Sequence, residues 1–210
     1  MSDLLPLFPL PNVVLFPNVF LPLHVFEPRY REMVADAVDA DRMIGMVLLR
    51  PGWQPQYEAR PPVYPVGCSG VITHVDRLDD GRYNIVLRGV ERFRIVEENH
   101  DRAYRRAVIE PIRESALSAD DRAALRNQRA RLESLLSPAI GSAETDPRTT
   151  AALSDEDLVN ALAQYLTLDP LEKQALLEQH SLRRRAESLV ELLEMKIMMA
   201  RTPGVSNVAH

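Results

Sequence analysis

The chain has 210 residues, 46% apolar and 26% charged, with a formal net charge of −5. That length fits one large domain or two small ones, enough to bury a core without staples, and the composition excludes a disordered chain. Residues 1–113 hold 14 basic and 15 acidic side chains and residues 114–210 hold 11 and 15, so neither half has the basic excess that non-specific nucleic-acid binding needs.

The single cysteine, Cys68, excludes an internal disulfide framework and fits a reducing compartment. The N-terminus has no basic region, and its apolar run is broken by Pro and Asn, so it does not read as a signal peptide. No run reaches the roughly 18 uninterrupted apolar residues of a membrane span. The expectation is a soluble, cytoplasmic protein with no membrane partner.

Residues 5–30, LPLFPLPNVVLFPNVFLPLHVFEPRY, are apolar and interrupted by Pro6, Pro9, Pro11, Pro17, Pro22 and Pro28. Each proline lacks an N–H and clashes with a preceding helical turn, and a central strand does not suit that spacing either. Short extended pieces broken by turns remain, with Asn12 and Asn18 suited to the turns. Pro28 fits a first helical position, and Tyr30, Met33, Val34, Ala37 and Val38 recur at helical spacing, so residues 27–39 read as a helix. Residues 42–49 read as a buried strand. Residues 51–65 form a long Pro-rich loop with Trp53 and Tyr57, and such loops in compact domains are often functional.

Residues 66–78 read as a strand, Asp79-Asp80-Gly81 as a hairpin turn and residues 82–88 as the return strand. Gly89 breaks or bulges it, residues 90–97 continue as another strand, and residues 104–112 form a further one. After about residue 114 the composition shifts to Ala, Leu, Glu and Arg, while eleven of the sixteen prolines precede residue 66. Ser118 caps a helix running to about residue 136, and residues 138–150 read as a loop. Ser154 and Asp157 make a capping-box-like start to a helix through residue 166. Pro170 opens a short helix, and Ser181 opens the last, which runs to about residue 200.

The opening LFPLPNVVLFPNVFLPLHVFEPRYREMV, the strand–DDG–strand hairpin, the RGVERFRI segment and the later DPLEKQALLEQHSLRRRAESLVELLE stand in the same order as in the Lon protease amino-terminal domain family, which they resemble. Cereblon-like proteins carry something close to LPLHVFEPRYR. The resemblance spans almost the whole chain. It implies an α+β architecture with a PUA-like β pseudo-barrel at residues 1–113, an α-helical bundle at residues 117–201 and a flexible tail at residues 202–210. It also implies a non-enzymatic, bacterial-type substrate-recognition module in protein quality control, or an adaptor. Its partners would be unfolded or exposed apolar polypeptide, together with a protease or another protein. A PUA-like RNA-binding protein is the alternative, which the acidic balance opposes.

Full-length Lon proteases add an ATPase and a serine–lysine peptidase. A phosphate-binding loop needs Gly-Lys-Ser/Thr, and no Gly precedes Lys173 or Lys196, the only lysines. No cofactor or metal is expected, since nothing matches zinc-ligand spacing. Cys68 and His74 on one strand would stand roughly 20 Å apart, too far for a nucleophile and its base. Asp79-Asp80 and Glu97-Glu98 read as a turn and a solvated strand end. The candidate binding residues are therefore Arg29 and Tyr30 at the helix start, Trp53 and Tyr57 in the Pro-rich loop, and Arg88 and Arg92 in an arginine cluster. Against them stand plain structural roles: Glu27 capping the helix, Arg29 pairing locally, Tyr30 packing, Trp53 lidding the barrel and the arginines pairing on a solvated strand. The last helix carries a second apolar stripe, Leu192, Met195 and Met199, that faces either core or a partner.

Overall fold

The computed structural model describes residues 4–56, 59–114, 116–140 and 153–201. Its strands are β1 Leu5–Leu10, β2 Phe20–Val25, β3 Met43–Leu48, β4 Val66–Arg77, β5 Tyr83–Asn99 and β6 Arg105–Ile112. Its helices are α1 Pro28–Val38, α2 Ala119–Ile140, α3 Asp155–Tyr165, α4 Pro170–Leu177 and α5 Leu182–Arg201.

The strands run β2-β5-β4-β3-β1-β6, and β6 returns to pair with β5. This closes a ring of β1, β3, β4, β5 and β6, with β2 hanging from β5 as a branch. The β1–β3 pair is parallel and the others are antiparallel. Leu5, Leu7, Val47, Phe93 and Ala107 fill one end of the ring. The strand β1 accepts two prolines because its neighbours are staggered. Register partners place β6 against residues 5–7 and β3 against residues 7–10, so only Leu7 is flanked on both sides. Pro6 and Pro9 each leave one lateral side unpaired, where a missing N–H does no harm.

Gly89 does not end the return strand. One strand of 17 residues, β5, runs through it and changes neighbour there. Residues 83–88 pair with β2 on one side, and residues 92–99 pair with β6 on that side. At the change, the Asn18 N–H donates to the Gly89 carbonyl at 2.9 Å and the Gly89 N–H to the Val19 carbonyl at 2.9 Å. A Cβ on Gly89 would lie 2.0 Å from the Phe16 carbonyl oxygen, so only glycine lets the two backbones meet. Asn18 takes φ +62 in the turn, which its short polar side chain tolerates. A second left-handed residue, Arg42 at φ +63, joins α1 to β3 without the Gly or Asn that would announce it.

The helix α1 begins with Pro28 at N1 as expected, but Glu27 makes no side-chain cap bond. Its carboxylate instead accepts from Arg29 Nε and Nη2 at 3.1 and 2.9 Å. Met33 and Val34 are fully buried. Tyr104, just before β6, donates to Asp36 Oδ2 of α1 at 2.7 Å.

The chain divides into two compact units, Met1–Glu114 with Asn160–Glu178, and Ser115–Val159 with Gln179–His210. Polar side chains explain why Asn160–Glu178 goes with the strands. Asn160 Nδ2 donates to the Pro17 carbonyl at 3.2 Å, Gln164 Oε1 accepts from the Phe16 N–H at 3.2 Å, and Gln174 Nε2 donates to the Val66 carbonyl at 3.0 Å. The α4 start carries a capping box, with Glu172 accepting from the Asp169 N–H at 2.7 Å.

In the second unit, Ser118 Oγ accepts from the Asp121 N–H at 3.0 Å and Ser154 Oγ from the Asp157 N–H at 3.1 Å, the caps read from sequence. Pro138 to Ile140 continue α2, and the rest of the predicted 138–150 loop lies outside the described residues, as does the tail from residue 202. On α5, Leu182, Ala186, Leu189, Val190 and Leu193 are buried, whereas Met195 and Met199 are exposed. Arg183 pairs with Asp121 at 3.2 Å, fastening α5 to α2.

Two outcomes follow from these contacts. Gly89→Ala drives a methyl into backbone, so its cost in urea unfolding lies at or above the top of the roughly 1–3 kcal/mol typical of overpacking. Burial first, and the Asp36 hydrogen bond second, push the Tyr104 phenol up to about 12 from its ordinary value of 10.0. A raised folded pKa contributes stability that is fully present below the unfolded value and lost as pH rises through the folded one. Spectrophotometric titration therefore shows one phenol ionising late, near pH 12, and Tyr104→Phe removes that phase at a cost of about 1 kcal/mol.

Candidate functional site

The outer face of β4 and β5 is covered at one end and open at the other. At the covered end, Arg92 Nη1 donates to the Leu177 carbonyl of α4 at 2.8 Å and Nη2 to Glu114 Oε1 at 2.8 Å. At the open end β2, β5 and β4 lie side by side. Register places three rows across them: Phe20–Arg88–Val71, Pro22–Val86–His74 and His24–Asn84–Asp76. Leu21, Leu23 and Val25 alternate with these and turn toward the core, where Val25 is buried and the other two half-buried. Phe20 is 50% exposed and Phe26, just past β2, is 59% exposed. The His24 and Phe26 rings lie 6.2 Å apart. A shallow hollow of about 360 Å³ runs over Pro22, His24, His74 and Val86.

Within the sheet β2 has one neighbour, so its other edge is unpaired. The Gly89 N–H to Val19 carbonyl bond fixes which residues point inward. Alternation then makes residues 21, 23 and 25 the pairing residues and turns the backbone of Phe20, Pro22 and His24 outward. Tyr165 of α3 donates its hydroxyl to the Phe20 carbonyl at 3.0 Å. Pro22 has no N–H. The edge that remains is the Phe20 N–H, the Pro22 carbonyl and the N–H and carbonyl of His24, interrupted at its start and middle and too little for a full added strand.

A second concavity, about 210 Å³, opens beside the start of α1 and is lined by Arg29, Tyr30, Leu49, Arg60, Pro61 and Arg105 among others. Arg29 lies 4.7 Å over the Tyr30 ring. A third and wider cleft, about 700 Å³, is lined by Asp36, Asp39, Asp41 and Glu91 together with Arg102 and Arg106.

The predicted residues do not form one site. Arg29 and Tyr30 share the small cleft, where Tyr30 is buried and tilted against Phe8 at a centroid distance of 4.6 Å, so it is floor and not a projecting anchor. Arg88 sits on the open sheet face. Arg92 is only 2% exposed and is a structural cation beneath α4, so the arginine cluster that holds Arg88 and Arg92 does not present both to solvent. Trp53 is half-buried and lines none of the three concavities described. Tyr57 lies outside the described residues. Phe20, Pro22, Arg60 and Arg105 were missed. The apolar, Pro-interrupted run at residues 20–25 was the signal for the first pair, whereas no local pattern marks the second.

Cys68 is buried and its thiol lies 3.4 Å from the Ser69 carbonyl, while His74 is exposed on the open face. Among the described residues no group of His, Cys, Asp and Glu is placed to hold a metal ion. No described helix is long and apolar enough to cross a membrane.

Residues 4–195 match the family model of the ATP-dependent protease La (LON) substrate-binding domain. The chain is 31% identical over 199 residues to Lon protease 2 of Herpetosiphon aurantiacus, covering 92% of this chain and 24% of that protein. It is 27% identical over 198 residues to Lon protease 2 of Myxococcus xanthus, with the same coverage. It thus spans about a quarter of the length of these relatives. The N-terminal domain of a Mycobacterium avium complex Lon protease superposes with a TM-score of 0.73 at 16% identity, covering 91% of this chain and 98% of that one. A Lon N-terminal domain protein from Xanthomonas campestris gives 0.57 at 22% identity, covering 96% and 99%. The chain belongs to the LON substrate-binding domain family.

Proposed function

We propose that this member of the LON substrate-binding domain family recognises unfolded or exposed apolar polypeptide, on the open face of β2, β5 and β4. The observation that carries the reading is the pair of exposed phenylalanines, Phe20 on and Phe26 just past a strand with an unpaired edge. Apolar side chains of a client lie over Phe20, Pro22 and Val86, and Arg88 offers a charge at the rim. Aromatic side chains contribute large area at small entropy cost, which suits a surface that must accept many sequences. The short backbone edge at Pro22 and His24 adds a few hydrogen bonds to the client main chain, a truncated form of strand addition.

The chain serves protein quality control as a recognition module or adaptor, working with a protease or another protein, in the cytoplasm. It performs no ATP hydrolysis or peptide cleavage of its own. RNA is the weaker reading, because the arginines of β5 do not make a continuous patch once Arg92 is buried.

Fluorescence anisotropy with a permanently unfolded, apolar reporter polypeptide tests the surface. Phe20→Ser weakens binding by about 2 kcal/mol, roughly thirtyfold, if Phe20 is a hot spot. Its melting temperature stays within a degree or two, because the lost side chain is half in water already. Unchanged affinity in Phe20→Ser and Phe26→Ser would remove this face from the function.

A further inference from the structure

The small cleft brings three guanidinium groups together, those of Arg29, Arg60 and Arg105. Arg105 rises from β6 with its side chain 7% exposed, one Nη donating to the Pro61 carbonyl at 2.5 Å and the other 3.5 Å from Glu98 Oε1. Arg60 donates to His100 Nδ1 at 2.5 Å and to the Arg102 carbonyl at 3.0 Å, both neutral acceptors. Among the described residues no carboxylate lies within ion-pair distance of Arg60. Arg29 is paired with Glu27 at 2.9 Å. The Glu98 contact of Arg105 is long, at 3.5 Å, for a cation this deeply buried.

Burial holds Arg105 below the ordinary arginine range, with Arg60 and Arg29 pushing the same way and Glu98 opposing. A buried cation facing two others is a site where an added anion lowers the energy. Guanidinium forks match carboxylates in a planar, two-bond geometry. The cleft also has an apolar wall of Tyr30, Leu49 and Pro61. Its 210 Å³ lies below the roughly 300–1,000 Å³ of pockets for drug-sized ligands, which leaves room for one residue and not a nucleotide.

We propose that the Arg29–Arg60–Arg105 cleft binds a carboxylate of the polypeptide substrate, from its chain terminus or an acidic side chain, with the carbon part of that residue against Tyr30 and Leu49. The assignment rests on the polypeptide reading above and adds a charged determinant to it.

Four Gly-Ser-Leu peptides carrying an uncharged dye test it: neutral throughout with an amidated end, the same with a free terminal carboxylate, the amidated peptide with one internal Glu, and its Gln counterpart. At least one carboxylate peptide binds tenfold or more tighter than its neutral match, and Arg60→Ala erases the preference. The preference also shrinks as salt rises, and the two arms say which carboxylate is read. Equal binding of all four by the wild-type protein overturns the proposal without recourse to any variant. So does a preference that survives in a folded Arg60→Ala protein, or displacement of every peptide alike by inorganic phosphate. The unfolded apolar reporter is measured alongside. If it binds and depends on Phe20 while the four peptides bind alike, the cleft assignment fails and the polypeptide reading stands. If the carboxylate preference is present but the reporter is not bound, the cleft stands and the apolar-face reading fails.

Discussion

The close approach of two backbones at Gly89 is the constraint on which the strand unit depends. Once the Phe16 carbonyl occupies the place of a Gly89 side chain, the Asn18 turn is pinned to the middle of β5. The first half of β5 is then free to carry β2, and the second half to carry β6 and close the ring. The same contact leaves β2 outside the ring with one neighbour. The open face and its short edge are therefore consequences of how the ring closes. Gly70, opposite Gly89 in the register, belongs to the same device: a Cβ there would stand 2.9 Å from Leu15.

A chain so crossed has loops that run over a sheet, and their backbone groups need partners. Asn160, Gln164 and Gln174 supply them to Pro17, Phe16 and Val66, and all three side chains are buried. Arg92 supplies the converse, a buried donor for the last carbonyl of α4. A neutral amide side chain is buried at a lower cost than a charge, and Gln174 meets that cost through Nε2, which donates to Val66 and Glu178, while its buried Oε1 has no partner; a buried guanidinium needs its charge met, which Glu114 does from a partly exposed position. These contacts are why residues distant in sequence fold with the strands.

Local physics made much of this legible. Pro28 at N1, the serine caps at Ser118 and Ser154 and the DDG turn, with Gly81 at φ +80, are short-range features, and each stands where its residues predict it. The order of motifs was enough to indicate the family and the pseudo-barrel with helices after it. What stayed hidden was long-range. Arg88, Arg92 and Arg94 have the parity of one strand face, and Arg88 and Arg94 are exposed, but α4 lies over Arg92 from 85 positions away in the chain. Gly89 signalled a break or a bulge: the strand runs on with a register shift against β4 just after it, and the change of neighbour from β2 to β6 went unsignalled. The cleft arginines come from the loop, the start of α1 and β6, and no spacing rule relates positions 29, 60 and 105.

The guarded edge of β2 bears on what kind of recognition the face can perform. A fully open edge beside exposed phenylalanines would template pairing with any extended chain, including a second copy of this one. Pro22 removes a donor from the middle of that edge, and the Tyr165 hydroxyl occupies the carbonyl at its start. Backbone hydrogen bonds, which are blind to sequence, are thereby cut to a few, and the side-chain face is left untouched. On the proposed polypeptide reading, affinity then comes from apolar contact, which is tunable by client composition, and from charge at fixed points such as Arg88. A module that has to release its client gains from this arrangement. Three or so edge bonds and a shallow hollow are lost quickly, whereas a complete added strand is not. The guarded edge thus limits strand pairing at β2 while leaving the apolar side-chain face uncovered.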